Sequence, residues 1–203
     1  MGTVEVMQLR SASEGKSKGF DYRGMHRYLV TLPTFRGRQV FLDPSRITPV
    51  LDALRELARV HEFNVFAYCF LPERLIMQLH GSTPGSDLRK FLPAFRLRAA
   101  ELLEPLLGHA LWKRSYLERV LTRSAESAEV ARQVFRLPVS AGLARTAESY
   151  QYLGSFSEDV ERLLRVRPPR RRFLRTKSRP RPERKGWKPR GRPRPPSSGR
   201  SRH

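Results

Sequence analysis

Apolar and polar positions alternate through HRYLVTLPTF (26–35), which predicts a first β-strand rich in β-formers. Next, SRITPVLDALRELARVHEF (45–63) spaces Ile47, Val50, Leu51, Leu54, Leu57 and Ala58 along one stripe of an amphipathic helix, with Pro49 expected in its first turn. NVFAYCFL (64–71) is almost wholly apolar, as a central strand must be, and ERLIMQLHG (73–81) follows at once. The two form a predicted hairpin hinged near Pro72 and stopped by Gly81. SDLRKFLPAFRLRAAELLEPLL (86–107) predicts a second helix with Ser86 as N-cap and Leu88, Phe91, Leu92 and Phe95 on one side. Pro93 is expected to kink or delay it. ALWKRSYLERVL (110–121) has the alternation of a fourth strand, and SAESAEVARQVFRLP (124–138) that of a third helix, which Pro138 should end. VSAGLARTAESYQYLGSF (139–156) is irregular, with turn chemistry at Ala141 and Gly142. The order β-α-β-β-α-β-α predicts an α+β chain: a ferredoxin-like, split-βαβ antiparallel sheet with helices packed on it. No internal repeat is visible.

Composition changes this picture at the ends. The 203 residues suit one domain plus tails. The formal net charge of +21 makes polyanions the expected partners, nucleic acid before an anionic membrane surface. From 165 to 203 there are about 17 Lys and Arg against one acid, Glu183, so about +16 lies there and about +5 elsewhere. That stretch also holds about half of the 16 prolines, and its few large apolar residues cannot offset chain entropy. The expected organisation is a flexible segment at 1–19, a globular domain at 20–164 and a disordered Arg/Pro-rich tail at 165–203. No apolar run approaches the roughly 18 residues of a membrane span, and no signal-peptide or myristoylation pattern opens the chain. A single cysteine, Cys69, excludes an internal disulfide or a thiolate metal cage and suits a reducing compartment. The expected location is therefore cytoplasmic, at the nucleoid.

Four consecutive blocks carry a family resemblance: AYCFLPERLIMQLHG, SDLRKFLPAFRLRAA, LWKRSYLERVL and RLPVSAGLARTAESYQYLGS. In order and spacing, from about 28 to 155, they resemble the single-tyrosine HUH transposases of the REP-associated, insertion-sequence type. The resemblance implies two histidines at i and i+2 on a strand, which project from one face. With an amide they would hold Mg²⁺ or Mn²⁺, and a helical tyrosine would attack the scissile phosphate. Carried over, the histidine pair falls on Arg74 and Ile76, the tyrosine on Gln133, and the amide four residues later on Leu137. Arg74 has only donors, Ile76 and Leu137 have no lone pair, and Gln133 is no nucleophile. The expectation is a degenerate active site with no catalytic residues, no metal and no cofactor.

Displaced groups are the alternative. Gln78 and His80 share the face of Arg74 and Ile76, while Tyr116, Tyr150 and Tyr152 match structural aromatics of the resembled blocks; a working transposase would have to recruit from these. His26, His61 and His109 lack a second ligand at a useful spacing. What the resemblance leaves is DNA binding, to a hairpin or single strand, with Arg74 as a fixed cation for a backbone phosphate. The family includes dimers joined through the sheet, so a homodimer is admitted, though nothing in the periodicity requires one. In the tail, Pro189-Arg190-Gly191-Arg192-Pro193 resembles the core of an AT-hook, flanked by Lys188 and Arg194. Such a thin strip suits the narrow minor groove of A·T-rich duplex. An RNA-binding protein using the same basic surfaces is the rival from a different class.

Overall fold

The computed structural model describes residues 20–122 and 124–165. The tail motif at 188–194 and the segment at 1–19 lie outside them.

β1 (Arg27–Pro33) leads through two single 3₁₀ turns, Phe35–Gly37 and Val40–Leu42, into α1 (Pro44–Val60). β2 (Phe63–Leu71) and β3 (Arg74–Gly81) are the predicted hairpin, turning at Pro72 and Glu73. α2 (Leu88–Leu107), β4 (Leu117–Val120) and α3 (Ser124–Ser140) follow, then a two-residue β5 (Leu153–Gly154) and a short α4 (Val160–Arg165). The strands form one antiparallel-paired sheet in the order β4-β1-β3-β2-β5. β1 and β2 both pair antiparallel to the β3 between them, so they run parallel to each other across it. That is the split βαβ arrangement, and it explains why each strand at the centre is apolar on both faces.

The alternation along those strands serves two cores. Tyr28, Val30, Leu32, Phe70, Leu75, Met77 and Leu79 pack with Val50 and Leu54 of α1 and Phe91 and Phe95 of α2. The opposite set, Leu29, Ala67, Cys69, Leu71 and Ile76, packs with Val130, Ala131, Val134 and Phe135 of α3 and with Leu163 of α4. A β-bulge in β2 breaks the register between Val65 and Ala67. It leaves Phe66 and Ala67 both on the α3 side, as the extra residue of a bulge permits.

Several boundaries differ from the sequence expectation. The N-cap of α2 is Asp87, whose carboxylate accepts from the Arg89 N–H at 2.9 Å. Ser86 is instead a loop anchor: its hydroxyl accepts from the Ser82 and Thr83 amides and donates to the Glu62 carbonyl at 2.7 Å. α1 begins at Pro44, capped by Asp43, so Pro49 falls in the second turn rather than the first. α2 runs unbroken through Pro93 and Pro105. Both prolines are exposed, as are Arg89 and Glu101 one turn before them, so the carbonyls left without a donor can face water. α3 likewise continues past Pro138 to Ser140, and the Leu137 and Pro138 carbonyls are taken up by the amides of Ala141 and Leu143. β4 is shorter than the 110–121 expected. Leu111 and Trp112 sit in the first core, joined to the end of β1 by an isolated Thr34–Trp112 bridge, and the indole N–H donates to the Arg96 carbonyl. Among the described residues no helix is long and apolar enough to cross a membrane.

Candidate nucleic-acid interface

Antiparallel pairing decides which side chains share a face, because directly opposite residues project the same way. Across the sheet Leu71, Arg74 and Pro33 lie in one row, and Cys69, Ile76 and Thr31 in the next. Ala67, Gln78, Leu29 and Arg119 make the third, and His80 opposes Arg27 in the fourth. This is the α3 side. It therefore gathers the proposed positions on β3 with Leu137, which packs against the same apolar cluster.

The chemistry of those positions is now concrete. Ile76 is 2% exposed and surrounded by hydrocarbon. Leu137 is partly buried against that same cluster, and neither side chain carries an atom that could ligate an ion. Gln133 sits half-buried on α3 with its amide nitrogen 3.5 Å from a Glu129 oxygen. Arg74 is 40% exposed, and its guanidinium pairs with Glu73 at 3.0 Å. Its Nε is buried with no partner among the described residues. A divalent cation of the kind the resemblance implies does not fit this donor set.

The displaced pair is spoken for as well. The Gln78 amide nitrogen lies 3.1 Å from the Ser127 carbonyl and 3.0 Å from His80 Nε2. An amide nitrogen offers only protons, so the imidazole nitrogen must accept and its lone pair is used. Burial, then the charge of Arg27, pushes the His80 pKa down to about 4. Phe66, brought across by the bulge, stacks on the ring at 4.4 Å. Besides Arg74 Nε, the buried atoms left without a partner around this pair, among the described residues, are Gln78 Oε1, Ser127 Oγ and Arg132 Nη1.

The tyrosines sit apart from this face or are engaged in packing. Tyr116 belongs to the other side of the sheet, against the first core, with the Arg96 guanidinium 5.4 Å over its ring. Burial, reinforced by Glu118, raises its pKa. Tyr150 donates its hydroxyl to the Phe70 carbonyl at 2.7 Å and meets Tyr152 edge-on, and burial raises its pKa. Tyr152 packs against the first core. His26 meets Phe20 and Tyr28, and His61 meets Phe91. Burial also pushes the Cys69 thiol up to about 12, so it is inert as a nucleophile at neutral pH.

The rim is basic. Arg27, Arg74 and Arg119 project from this face, and of the three only Arg74 has an ion-pair partner among the described residues. Sequence reasoning singled out Arg74 but missed Arg27 and Arg119. Their only signal is register: each opposes a β3 or β1 residue of the α3 face, which pairing alone reveals.

No family model matches the chain, and no curated protein matches it. Among solved structures it is similar to a REP-associated tyrosine transposase bound to a REP hairpin, with a TM-score of 0.59 at 15% identity over 72% of this chain and 86% of that one. A Deinococcus radiodurans protein provisionally named a transposase aligns with a TM-score of 0.42 at 20% identity, over 59% of this chain and 95% of that one. The likeness to the first structure establishes a shared fold.

Proposed function

We propose that this chain is a DNA-binding protein built on the single-tyrosine transposase fold and lacking strand-cleaving chemistry. One observation carries the reading. On a fold shared with a transposase whose structure contains a hairpin, the face expected to hold a metal is filled by Ile76 and Leu137 and rimmed by Arg27, Arg74 and Arg119. Three guanidiniums around an apolar floor suit phosphate contacts from a DNA hairpin or its adjoining single strand. Each fork can bond two phosphate oxygens at once, and the floor offers nothing to polarise the ester. Arg74 brings a buried Nε donor with no partner, and the phosphate would share its charge with Glu73. The basic tail, with Lys188, Arg190, Arg192 and Arg194, would add duplex contacts through a minor-groove strip at Pro189, Gly191 and Pro193. A nucleoid location follows from this reading.

The test has two arms. Labelled hairpin DNA incubated with Mn²⁺ or Mg²⁺ should yield a stable, non-covalent complex. A covalent protein–DNA adduct would instead establish a working transposase using displaced groups. In a binding titration Arg74→Ala should weaken hairpin affinity, and removal of 165–203 should flatten the salt dependence by roughly 0.9 of log–log slope per phosphate released. Tighter binding to structured RNA than to either DNA form would transfer the reading to RNA.

A further inference from the structure

The turn after β1 carries chemistry that the site above does not use. A cleft of about 580 Å³ opens between this turn, the start of α1 and the residues just beyond α2. Arg36, Arg38, Arg46 and His109 line it. Arg46 is paired with Asp43 at 3.3 Å, but Arg36 and Arg38 are exposed and have no ion pair among the described residues. Glu104 on α2 accepts from the Leu111 amide at 2.9 Å. Among the described residues its lining holds three arginines and no carboxylate, which concentrates positive charge there.

It is also firmly built. Thr34 is fully buried, its hydroxyl 2.7 Å from the Arg38 carbonyl and 3.0 Å from that of Glu73. The Phe41 amide donates to the Pro72 carbonyl, and Val40 and Phe41 are sunk in the first core. The Phe35 ring lies between the Arg36 guanidinium at 5.1 Å and the His109 ring at 6.1 Å. Arg36 itself holds a left-handed backbone, φ 55°, followed by Gly37 at φ 67°. A side chain as large as arginine seldom adopts that region, and glycine would occupy it more cheaply. Arg36 is nonetheless exposed, its guanidinium lying over the Phe35 ring at the surface of the turn.

The position relative to the sheet decides the ligand. Pro33, the last residue of β1, pairs with Arg74, and the Thr34 amide donates to the Glu73 carbonyl. The first cleft residue, Arg36, thus lies three residues along the chain from Pro33, which shares the row of Arg74. Lys113, exposed and tied by its amide to the Pro33 carbonyl, and exposed Arg114 continue the charge on the other flank. Arg96 holds that flank in place by donating to both their carbonyls. A row of cations longer than a single phosphate fits a repeating polyanion.

We propose that this cleft is a second DNA-backbone contact, in which Arg36 and Arg38 grip phosphodiester groups of a hairpin whose adjoining strand crosses the Arg74 face. The inference rests on the DNA-binding reading but not on Arg74. The experiment compares full-length parent, Arg74→Ala and the double variant Arg36→Ala/Arg38→Ala for hairpin affinity across a salt series. Circular dichroism and thermal unfolding verify that each is folded. In parallel, an arginine-modifying dicarbonyl is applied with and without hairpin, and protection at Arg36 and Arg38 is read by peptide mass. The double variant should lose affinity by roughly tenfold at moderate salt and about 1.5 to 2 units of log–log slope, two phosphate contacts' worth. Hairpin should shield both arginines from the reagent. Parental affinity and slope in the double variant, or unshielded arginines in the bound parent, would overturn the cleft even if Arg74→Ala is weak. Loss in the double variant with no effect of Arg74→Ala would keep the cleft and remove Arg74 from the interface. If the parent binds no hairpin at all, both readings fall.

Discussion

The two faces of the sheet solve different problems. The face under α1 and α2 is a continuous apolar core whose aromatic members stack and tilt on one another, from Tyr28 and Phe63 through Phe91 and Phe95 to Trp112. The face under α3 is smaller and mixed. Its apolar centre around Ile76 and Phe135 adjoins Arg74, Gln78, His80, Ser127 and Arg132, with four buried polar atoms unpaired among the described residues. Unpaired polar atoms cost stability, so natural cores avoid them unless something else keeps them. One face is organised for stability, and the other keeps polar groups and carries the basic rim.

That contrast can be broken by substitution. Phe95→Ala, in the fully buried aromatic core, should cost about 3–5 kcal/mol in denaturant unfolding. A loss under 2 kcal/mol would mean the first face is no more tightly built than the second. Ile76→His restores one implied ligand type in an apolar setting and should cost about 2–3 kcal/mol through lost packing and an unpaired ring nitrogen. Stabilisation of that variant by millimolar Mn²⁺ would show that the face still gathers ligands.

His80 sharpens the comparison through pH. Its folded pKa of about 4 lies below the ordinary value of 6.5, so between those values the unfolded chain binds the proton and the native one does not. Stability from this group is therefore complete above pH 6.5 and drains away as pH falls toward 4. Because the ring is partly solvated, the loss should be about 1–2 kcal/mol, read as the difference between the parent and His80→Phe over that range. A difference that stays flat would mean His80 is not held neutral. The smallest effect belongs to Tyr150→Phe, which removes the hydroxyl bond to Phe70 and should cost about 1 kcal/mol while leaving DNA binding untouched.

Much of this architecture was legible in the pattern of residues. The hairpin at 64–81 and the order of strands and helices follow from period and turn chemistry, which are local properties. The errors fell where tertiary packing overrides local preference. Pro138 does not end its helix, because the helix end beyond it is taken up by following amides, and α2 runs on through Pro93, whose freed carbonyl can face water. Trp112 keeps only an isolated bridge to Thr34 instead of a continuous strand, and its indole is buried in the first core. Asp87 displaces Ser86 as cap because Ser86 is already engaged with Glu62.

The sequence alone determined which side chains stand at the positions 74, 76, 133 and 137, and therefore that a donor set for a cation cannot be assembled from them. Side-chain chemistry is fixed by residue identity and needs no coordinates. Only the tertiary structure decided that Gln78 donates to His80, that Tyr116 lies on the other side of the sheet, and that Arg27 and Arg119 join Arg74 on one face. Those facts depend on strand register and on a bulge. Register is a relation between segments distant in sequence, so no local pattern encodes it.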